Sequence, residues 1–380
     1  MDRKPYLKNV KRAVVKVGSG VLTRKNGLNL NLIDDITTEI CWLRKKGIEI
    51  IQVSSGAIAA GLKKAGLSRR PDSLSQMQAL AAMGQSSLIM AYEEAFARHG
   101  ARCAQILLTR DDLTHRRRYL NARNTLITLL SWGIIPIINE NDTVVADEIK
   151  FGDNDNLSAM VTNLTGSQFL VNLTNIEGLY DQDPRLHKEA QLVKFVDKVD
   201  SKLSAAAGSI PGFLGTGGMA SKLTAAKKVS LGGVPSVIAS GFIPAVLKDV
   251  FSGKSTGTFF KPRPVPLNSK KQWIAFTKSP SGEITIDQGA EQAILKNGKS
   301  LLPSGIIDIQ GRFSMGSVVV LKNGKGTDIA IGLVNYSSDD LLQIKGAKTS
   351  AIEAILGYKH DDEVIHRDNL VPTELLGDTE

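Results

Sequence analysis

The stretch AVVKVGSG, residues 13–20, predicts the core of the fold: a buried strand that carries Lys16 among apolar residues and ends at Gly18 and Gly20. Similar apolar runs recur through residues 12–250 and alternate with segments of helical periodicity. Near-continuous apolar strands separated by helices are typical of parallel sheets covered on both faces. The sequence therefore predicts an α/β fold with a doubly wound, mainly parallel sheet and helices on both faces.

The other predicted elements follow the same alternation. Apolar residues at 33, 36, 40 and 43 have helical spacing, and Gly47 ends that helix. Further strands are predicted at IEIIQVSS, CAQILLT, GIIPIIN, QFLVNLT and GVPSVIA. Because ligands bind beyond the carboxyl ends of strands in doubly wound sheets, we expect the functional residues there.

The character of the chain changes after residue 253. Prolines at 262, 264 and 266 lie in a polar stretch that is typical of a linker. Beyond it, QWIAF, GEITI, GSVVVL and DIAIGLVNY predict short strands of a small β-rich domain. The predicted organisation is a catalytic α/β domain at 1–258, a linker at 259–272, the β-rich domain at 273–370 and a tail at 371–380.

Composition excludes several classes of protein. The chain has 2 cysteines, far apart in sequence, which fits a reducing cytoplasm and no disulfide framework. No apolar run reaches the roughly 20 residues of a membrane span, and no apolar segment of a signal peptide follows the basic start. The 5 histidines have no metal-ligand spacing, so a zinc site is not expected. We expect a cytoplasmic protein with no membrane partner.

The formal net charge of +9 raises the question of nucleic acid. Residues 1–258 hold 33 Lys and Arg against 23 Asp and Glu, whereas residues 259–380 hold 14 against 15. The positive excess therefore lies with the first domain, where it favours the approach of small anions at least as naturally as RNA.

Polar side chains are crowded in three stretches of the chain, two of them at the ends of predicted strands. In FGDNDNLSAM, residues 151–160, positions 153–156 are all Asp or Asn. Taken alone, this stretch is best interpreted as a helix cap, with a site for a small polar substrate as the alternative. INENDTV, residues 138–144, is a second acidic and amide cluster. Ser54–Ser55–Gly56, where a helix begins, indicates either a cap or an anion site with equal weight.

Two lysines accompany glycine-rich loops. Lys16 lies in an apolar strand, where its charge is costly unless an anion meets it, or else it reaches solvent at the strand end. GTGGMASK, residues 215–222, ends in Lys222 but does not match a Walker A loop. It is either a flexible turn before a helix or a phosphate-binding loop. Two such loops and two lysines together indicate a nucleotide with its phosphates.

Taken in order, these motifs resemble the glutamate-phosphorylating branch of the amino acid kinase family. The resemblance is carried by VVKVGSG, VSSGAIAAG, LNARNT, PIINENDTV, FGDNDNLSA, GLYDQDPR and GTGGMASK. GEITIDQGAEQAIL, SLLPSGI and EAILGY resemble a PUA domain, so nearly the whole chain is covered. The resemblance implies ATP-dependent phosphorylation of the γ-carboxylate of L-glutamate to L-glutamyl 5-phosphate, the first step of proline biosynthesis.

The resemblance also implies roles for single residues. Those implied to bind glutamate are Ser55, Asp142 and Asn154. Those implied to act in catalysis are Lys16 and Lys222, which stabilise the phosphates, and Asp155, which holds the lysines. Those implied to bind ATP are Lys16, Gly18, Gly20, Thr174, Asn175, Thr216, Gly217, Gly218, Met219 and Lys222. At position 175 the chain departs from the family, which usually has Asp there; Asn keeps the shape and loses the charge.

Cofactors and partners follow from the same resemblance. We expect ATP with Mg²⁺, the metal being held by phosphate oxygens and water without a protein ligand. The γ-carboxylate of glutamate is already ionised near pH 7, so no general base is expected. Relatives form dimers or tetramers and are commonly inhibited by proline, so the resemblance implies a homo-oligomer with proline as feedback inhibitor.

Two alternatives stay open. An aspartokinase, acetylglutamate kinase or carbamate kinase would share the fold and the first lysine loop. A protein of another class, an RNA-binding PUA protein, would use the C-terminal domain. The near-neutral charge of residues 259–380 argues against RNA binding, because contact with phosphates normally needs a basic patch.

Overall fold

The computed structural model describes residues 2–24, 27–144, 154–200, 203, 218–277 and 280–376. The chain divides into two compact units, Met1–Pro266 and Leu267–Glu380. Every hydrophobic cluster of the described residues has all its members within one unit. Each unit therefore has a core of its own.

The first unit contains ten described strands and ten described helices. The strands are β1 Arg12–Val17, β2 Thr23–Arg24, β3 Gly27–Leu28, β4 Glu49–Ser54, β5 Cys103–Leu108, β6 Ile135–Glu140, β7 Phe169–Thr174, β8 Phe195–Val196, β9 Ser236–Ser240 and β10 Thr258–Phe260. The helices are α1 Lys4–Leu7, α2 Ser19–Leu22, α3 Leu30–Lys45, α4 Ala57–Lys64, α5 Leu74–Ala97, α6 Arg110–Thr114, α7 Arg116–Ser131, α8 Asn154–Thr165, α9 Met219–Leu231 and α10 Val246–Phe251.

The main sheet of this unit has eight strands in the order β5-β6-β4-β1-β7-β9-β10-β8. Pairing is parallel from β5 to β9, while β10 runs antiparallel to β9. Alternate residues of β1 point to opposite faces: Val15 joins a cluster with α3, α5 and α10, and Val14 joins one with α7, α8 and α9. The predicted doubly wound sheet with helices on both faces is confirmed.

The strands predicted in residues 12–250 are all present, with ends shifted by at most three residues. The short strands β8 and β10 were not predicted, because two or three residues give no periodicity. Phe259 and Phe260 of β10 are fully buried in the first unit, so the linker predicted at 259–272 begins later. Its prolines lie in residues 261–268, which have no regular secondary structure.

The N-terminus is fixed to the end of this unit by a buried arginine. The Arg3 guanidinium is 1% exposed and donates to the carbonyl oxygens of Lys194, Lys254, Thr256 and Gly257 at 2.5–3.1 Å. Burial lowers the pKa of Arg3 to about 10. The charge is thus met by backbone dipoles close to β8 and β10.

The second unit is built on a five-stranded sheet in the order β12-β11-β13-β14-β15. Its strands are β11 Gly282–Ile286, β12 Ile306–Gln310, β13 Val318–Lys322, β14 Asp328–Leu333 and β15 Leu370–Pro372. Its helices are α11 Ser269–Thr277, α12 Gln288–Asn297, α13 Ser338–Ile344 and α14 Ile352–Leu356. The predicted tail at 371–380 begins inside β15, which pairs with β14.

The strand predicted at QWIAF is wrong, because these residues lie within α11. Asn268 accepts a hydrogen bond from the Lys271 amide at 2.9 Å, as a capping residue does, and Ile274 is fully buried. A run of five apolar residues is compatible with a buried helix turn as well as with a strand, and here the cap decides. Strands at GEITI, GSVVVL and DIAIGLVNY are confirmed. Within the described ranges, no helix is long and apolar enough to cross a membrane.

Candidate active site

The predicted site residues meet at the carboxyl edge of the main sheet. Lys16 is the next-to-last residue of β1, Ser54 is the last of β4 and Thr174 is the last of β7. Helix α8 begins at Asn154 and α9 at Met219. Five elements spread between residues 12 and 231 thus contribute to one region, as the doubly wound topology predicts.

Asp155, in the first turn of α8, is the centre of this region and is fully buried. Its Oδ1 atom accepts from Lys16 Nζ at 2.5 Å, and its Oδ2 atom accepts from Lys222 Nζ at 3.1 Å. Ser221 Oγ donates to Oδ2 at 2.6 Å, and Asn172 Nδ2 donates to Oδ1 at 2.7 Å. One carboxylate thereby holds two ammonium groups side by side.

The charges of this group are set by burial and by one another. Burial acts to raise the pKa of Asp155, but the charges of Lys16 and Lys222 outweigh it and hold that pKa well below its usual range. Burial lowers the pKa of Lys222; Lys16 acts in the same direction and Asp155 against it. Lys16 and Lys222 are 4% and 6% exposed, so the site holds one positive charge more than the carboxylate neutralises. An anion is the natural complement.

Asn154 faces a different set of groups. Its Nδ2 atom lies within 3.2 Å of the Ser54 carbonyl oxygen and within 3.0 Å of Ser55 Oγ and Asn139 Oδ1. Its Oδ1 atom is buried and has no hydrogen-bond partner among the residues that the structure describes. The Asn154 amide therefore hydrogen-bonds to the end of β4 through Nδ2, and its Oδ1 atom remains as an acceptor for a ligand with an N–H group.

Ser55 lies in the turn between β4 and α4. Its amide donates to the Val17 carbonyl at 3.2 Å, which ties the turn to the end of β1. Gly56 has φ +105°, a conformation that side chains rarely adopt, so glycine is required to start α4 in this direction. Ser54–Ser55–Gly56 is predicted to be either a helix cap or an anion site. No side-chain hydrogen bond caps α4, so the structure does not support the cap.

Asp142 follows β6 and is partly buried. Burial raises the pKa of its carboxyl to about 6, although the positive charge of Arg70 acts in the opposite direction. A cationic ligand beside this carboxyl would favour its ionised form. Among the described residues, no ion pair with Asp142 supplies such a cation.

At the other end of the site the backbone comes close to the ends of β1 and β7. The Gly18 amide donates to the Leu173 carbonyl at 2.9 Å, and a Cβ at Gly18 would lie 3.3 Å from that oxygen. Gly20 lies against the Asn175 side chain, whose Oδ1 accepts from Thr174 Oγ1 at 3.3 Å. These four residues, predicted for the nucleotide, are brought together.

The second glycine-rich loop is described only in part. Thr216 and Gly217 lie outside the described residues, whereas Gly218 precedes α9 and Met219 begins it. The Gly218 carbonyl oxygen accepts from Ser221 Oγ at 2.8 Å and from Lys222 Nζ at 3.4 Å. The loop and Lys222 are therefore joined directly.

Asn172 and Ser221 were not predicted for the site, and Asn139 was noted only as a member of the cluster at 138–144. Asn172 is an amide in a mostly apolar strand, and that exception was the signal that could have found it. Ser221 lies beside Lys222 in GTGGMASK and had no signal of its own. Among the described residues, no group of three His, Cys, Asp or Glu side chains could hold a metal ion.

Comparison with known proteins covers nearly the whole chain. The model of the amino acid kinase family matches residues 11–240, and the model of the PUA domain matches residues 282–356. Glutamate 5-kinase of Geobacter sulfurreducens is 53% identical over 370 residues, which cover 97% of this chain and 99% of that protein. Glutamate 5-kinase of Citrifermentans bemidjiense is 51% identical, with the same 97% and 99% covered.

Proposed function

This chain belongs to the amino acid kinase family, and we propose that it transfers the γ-phosphoryl group of ATP to the γ-carboxylate of L-glutamate. The product is L-glutamyl 5-phosphate, the first intermediate on the way to proline. The observation that carries the proposal is the Lys16–Asp155–Lys222 arrangement: two buried ammonium groups on one buried carboxylate, at the carboxyl edge of the sheet.

The two lysines can neutralise the negative charges that this reaction brings together. A carboxylate that attacks a phosphate brings two anions together, so catalysis depends on positioning and neutralisation rather than on proton transfer. Glutamate needs no general base, because its γ-carboxylate is ionised well below pH 7. Lys16 and Lys222 would stabilise the phosphoryl oxygens during transfer, while Asp155 keeps both in place.

Glutamate would lie between Asn154, Ser55 and Asp142. The unpaired Oδ1 atom of Asn154 and the carboxylate of Asp142 are acceptors that fit an ammonium group. Ser55 Oγ and the amides at the start of α4 are donors for the α-carboxylate. Binding of these two groups would leave the γ-carboxylate free to reach the lysines.

The nucleotide would lie along the other side of the lysines. Gly18 and Gly20 let the backbone approach the phosphates, and α9 begins at Gly218–Met219 with its amides available to anions. Thr174 and Asn175 complete this end, with Asn175 offering an amide in place of a charge. Mg²⁺ is proposed as part of the substrate MgATP, bound through phosphate oxygens.

The test is ATP turnover with a panel of carboxylates, with the acyl phosphate trapped by hydroxylamine as a hydroxamate. We expect product with glutamate in preference to aspartate, N-acetylglutamate and carbamate. A higher kcat/KM with any of these three would contradict the proposal and favour the corresponding kinase.

Four further expectations stay predictions. Inhibition by proline would be measured in the same assay. A dimer or tetramer would be detected by light scattering. RNA binding by the second unit would appear as a salt-dependent mobility shift, which the near-neutral charge of that unit argues against. A cytoplasmic location would be tested by cell fractionation.

A further inference from the structure

Asn172 is an exception in its strand. β7 is buried along its whole length, and its other members are Phe169, Leu170, Val171, Leu173 and Thr174. In the register of the sheet, Asn172 is the partner of Lys16 on β1. Alternation along the strand places it on the same face as Leu170, which packs with α8 and α9. A buried amide is costly unless it makes hydrogen bonds, so this position calls for a reason.

The hydrogen bonds of Asn172 show what the amide does. Nδ2 donates to Asp155 Oδ1 at 2.7 Å, the same oxygen that accepts from Lys16 Nζ at 2.5 Å. Asn172 Oδ1 is buried and has no partner among the described residues. The reverse orientation of the amide would set Oδ1 against a carboxylate, which is repulsive. The side chain thus leaves its acceptor unpaired in order to donate to Asp155.

Two neutral donors, Ser221 and Asn172, complete the hydrogen bonds of the Asp155 carboxylate. Ser221 Oγ donates to Oδ2 at 2.6 Å, and Asn172 donates to Oδ1, so each oxygen has one lysine and one neutral donor. Ser221 is on the same helix as Lys222, whereas Asn172 is on the sheet beside Lys16. Asn172 is therefore the neutral donor that, together with Lys16, ties Asp155 to the sheet.

We infer that Asn172 is a positioning residue for phosphoryl transfer: it holds the Asp155 carboxylate in the orientation that keeps Lys16 and Lys222 at its two oxygens. The inference rests on the proposed function, because its consequence is measured on the transfer step. Asn172 acts through Asp155, so substitution of Asn172 should change kcat. Asn154 and Ser55, the residues proposed to bind glutamate, should keep their contacts.

The first test is Asn172→Leu, which has the same branching at Cγ, though it is larger, and suits the apolar strand. We expect kcat to fall about 10–100-fold, the range for losing one hydrogen bond to a charged group, with KM for glutamate changed less than about twofold. The matched control is Gln52→Leu, since Gln52 is a fully buried amide on β4, on the other side of β1 from β7, and faces the opposite side of the sheet with Ile50. Equal kcat for both variants and wild type would overturn the inference.

The second test is Asn172→Asp, which keeps the shape and is informative even if the leucine variant folds poorly. Among the described residues, the charged groups that face this position are Asp155, Lys16 and Lys222. While protonated, the introduced carboxyl can donate to Asp155 as the amide does. When it ionises, the donor is lost and a negative charge is added beside the transferring phosphate.

The ratio of kcat in Asn172→Asp to kcat in wild type should therefore fall as pH rises through the range 5.5–8.5 that the assay would cover. A ratio independent of pH would overturn the inference. If wild type phosphorylates another carboxylate in place of glutamate, the proposed function fails, and the same two variants are compared on that substrate, so the two failures are distinguishable.

Discussion

Asn154 and Asp155 are adjacent in the first turn of α8, yet their side chains contact different parts of the site. Asn154 donates to Ser55 Oγ at 3.0 Å, at the end where glutamate is proposed, and Asp155 binds the two lysines. In the proposed function, one turn of helix thus joins the residues for substrate binding to those for phosphoryl transfer. Substitutions on the two sides should therefore separate KM from kcat.

Lys222→Met removes one of the two ammonium groups that are proposed to stabilise the transferring phosphoryl group. We expect kcat to fall about 10²–10³-fold, with a much smaller change in KM for glutamate, because the charge acts mainly in the transition state. Lys254→Met is the control, since Lys254 is an exposed lysine paired with Asp249. Near-normal kcat in the Lys222 variant would show that this lysine is not catalytic.

Asp155→Ala leaves two buried ammonium groups without their carboxylate. We expect kcat to fall more than KM for glutamate changes, and the free energy of unfolding to fall by about 3–5 kcal/mol, as on breaking a buried ion pair. Both would be measured on one preparation, by steady-state kinetics and urea unfolding. A variant with normal kcat and a raised KM would assign Asp155 to substrate binding.

Asp142 should make glutamate binding depend on pH. Its pKa of about 6 is raised by burial, so the carboxyl becomes neutral as pH falls through 6 and loses its attraction for the substrate ammonium. We expect kcat/KM for glutamate to fall below pH 6 in wild type. Asp142→Asn should have a raised KM and lack this acidic limb. An unchanged profile in the variant would remove Asp142 from the site.

A chain that ends at Pro266 should fold and phosphorylate glutamate, because the hydrophobic clusters of the first unit contain no residue beyond it. A chain that ends at Thr256 is the control: it lacks Phe259 and Phe260, which are buried in that core, and should not be soluble. The measurement is kcat of the soluble product. A folded, ATP-binding 1–266 fragment without turnover would show that catalysis needs the second unit.

Arg3→Ala should destabilise the first unit by about 3 kcal/mol, because buried carbonyl oxygens lose their donor. The expected result is a lower urea midpoint with an unchanged slope, followed by fluorescence after Trp273→Phe removes the tryptophan of the second unit. Arg98→Ala is the control, since the Arg98–Asp34 pair is exposed and such pairs contribute at most about 1 kcal/mol. Equal midpoints for the two variants would contradict the role of Arg3.

The alternation of strands and helices made the architecture of the first unit predictable. Strand ends then predicted that Lys16 and Ser55 lie at one edge of the sheet, and the structure has them there, because parallel strands bring their carboxyl ends to one edge. For 153–156, capping was favoured on the stretch alone. The structure shows instead that Asn154 and Asp155 use their side chains on the site, a use that depends on contacts from residues about 100 positions away.

What could not be predicted depends on such long-range contacts. Asn172 is one polar residue in an apolar strand, and only the position of Asp155 explains it. QWIAF, which lies inside the helix at 269–277, is predicted as a strand because a short apolar run does not determine its own conformation. β10 and β8 are too short for any periodic signal, and they are ordered by pairing with each other and with β9.

The hydrogen bonds of Arg3 have a consequence for synthesis on the ribosome. Arg3 is among the first residues made, but three of its acceptors, Lys254, Thr256 and Gly257, are made 251–254 positions later. At about 5–20 residues per second, the nascent chain spends roughly 10–50 s with this arginine unmatched. The first unit therefore reaches its final form only when it has been translated almost to its end, and until then its N-terminus is open to chaperones and proteases.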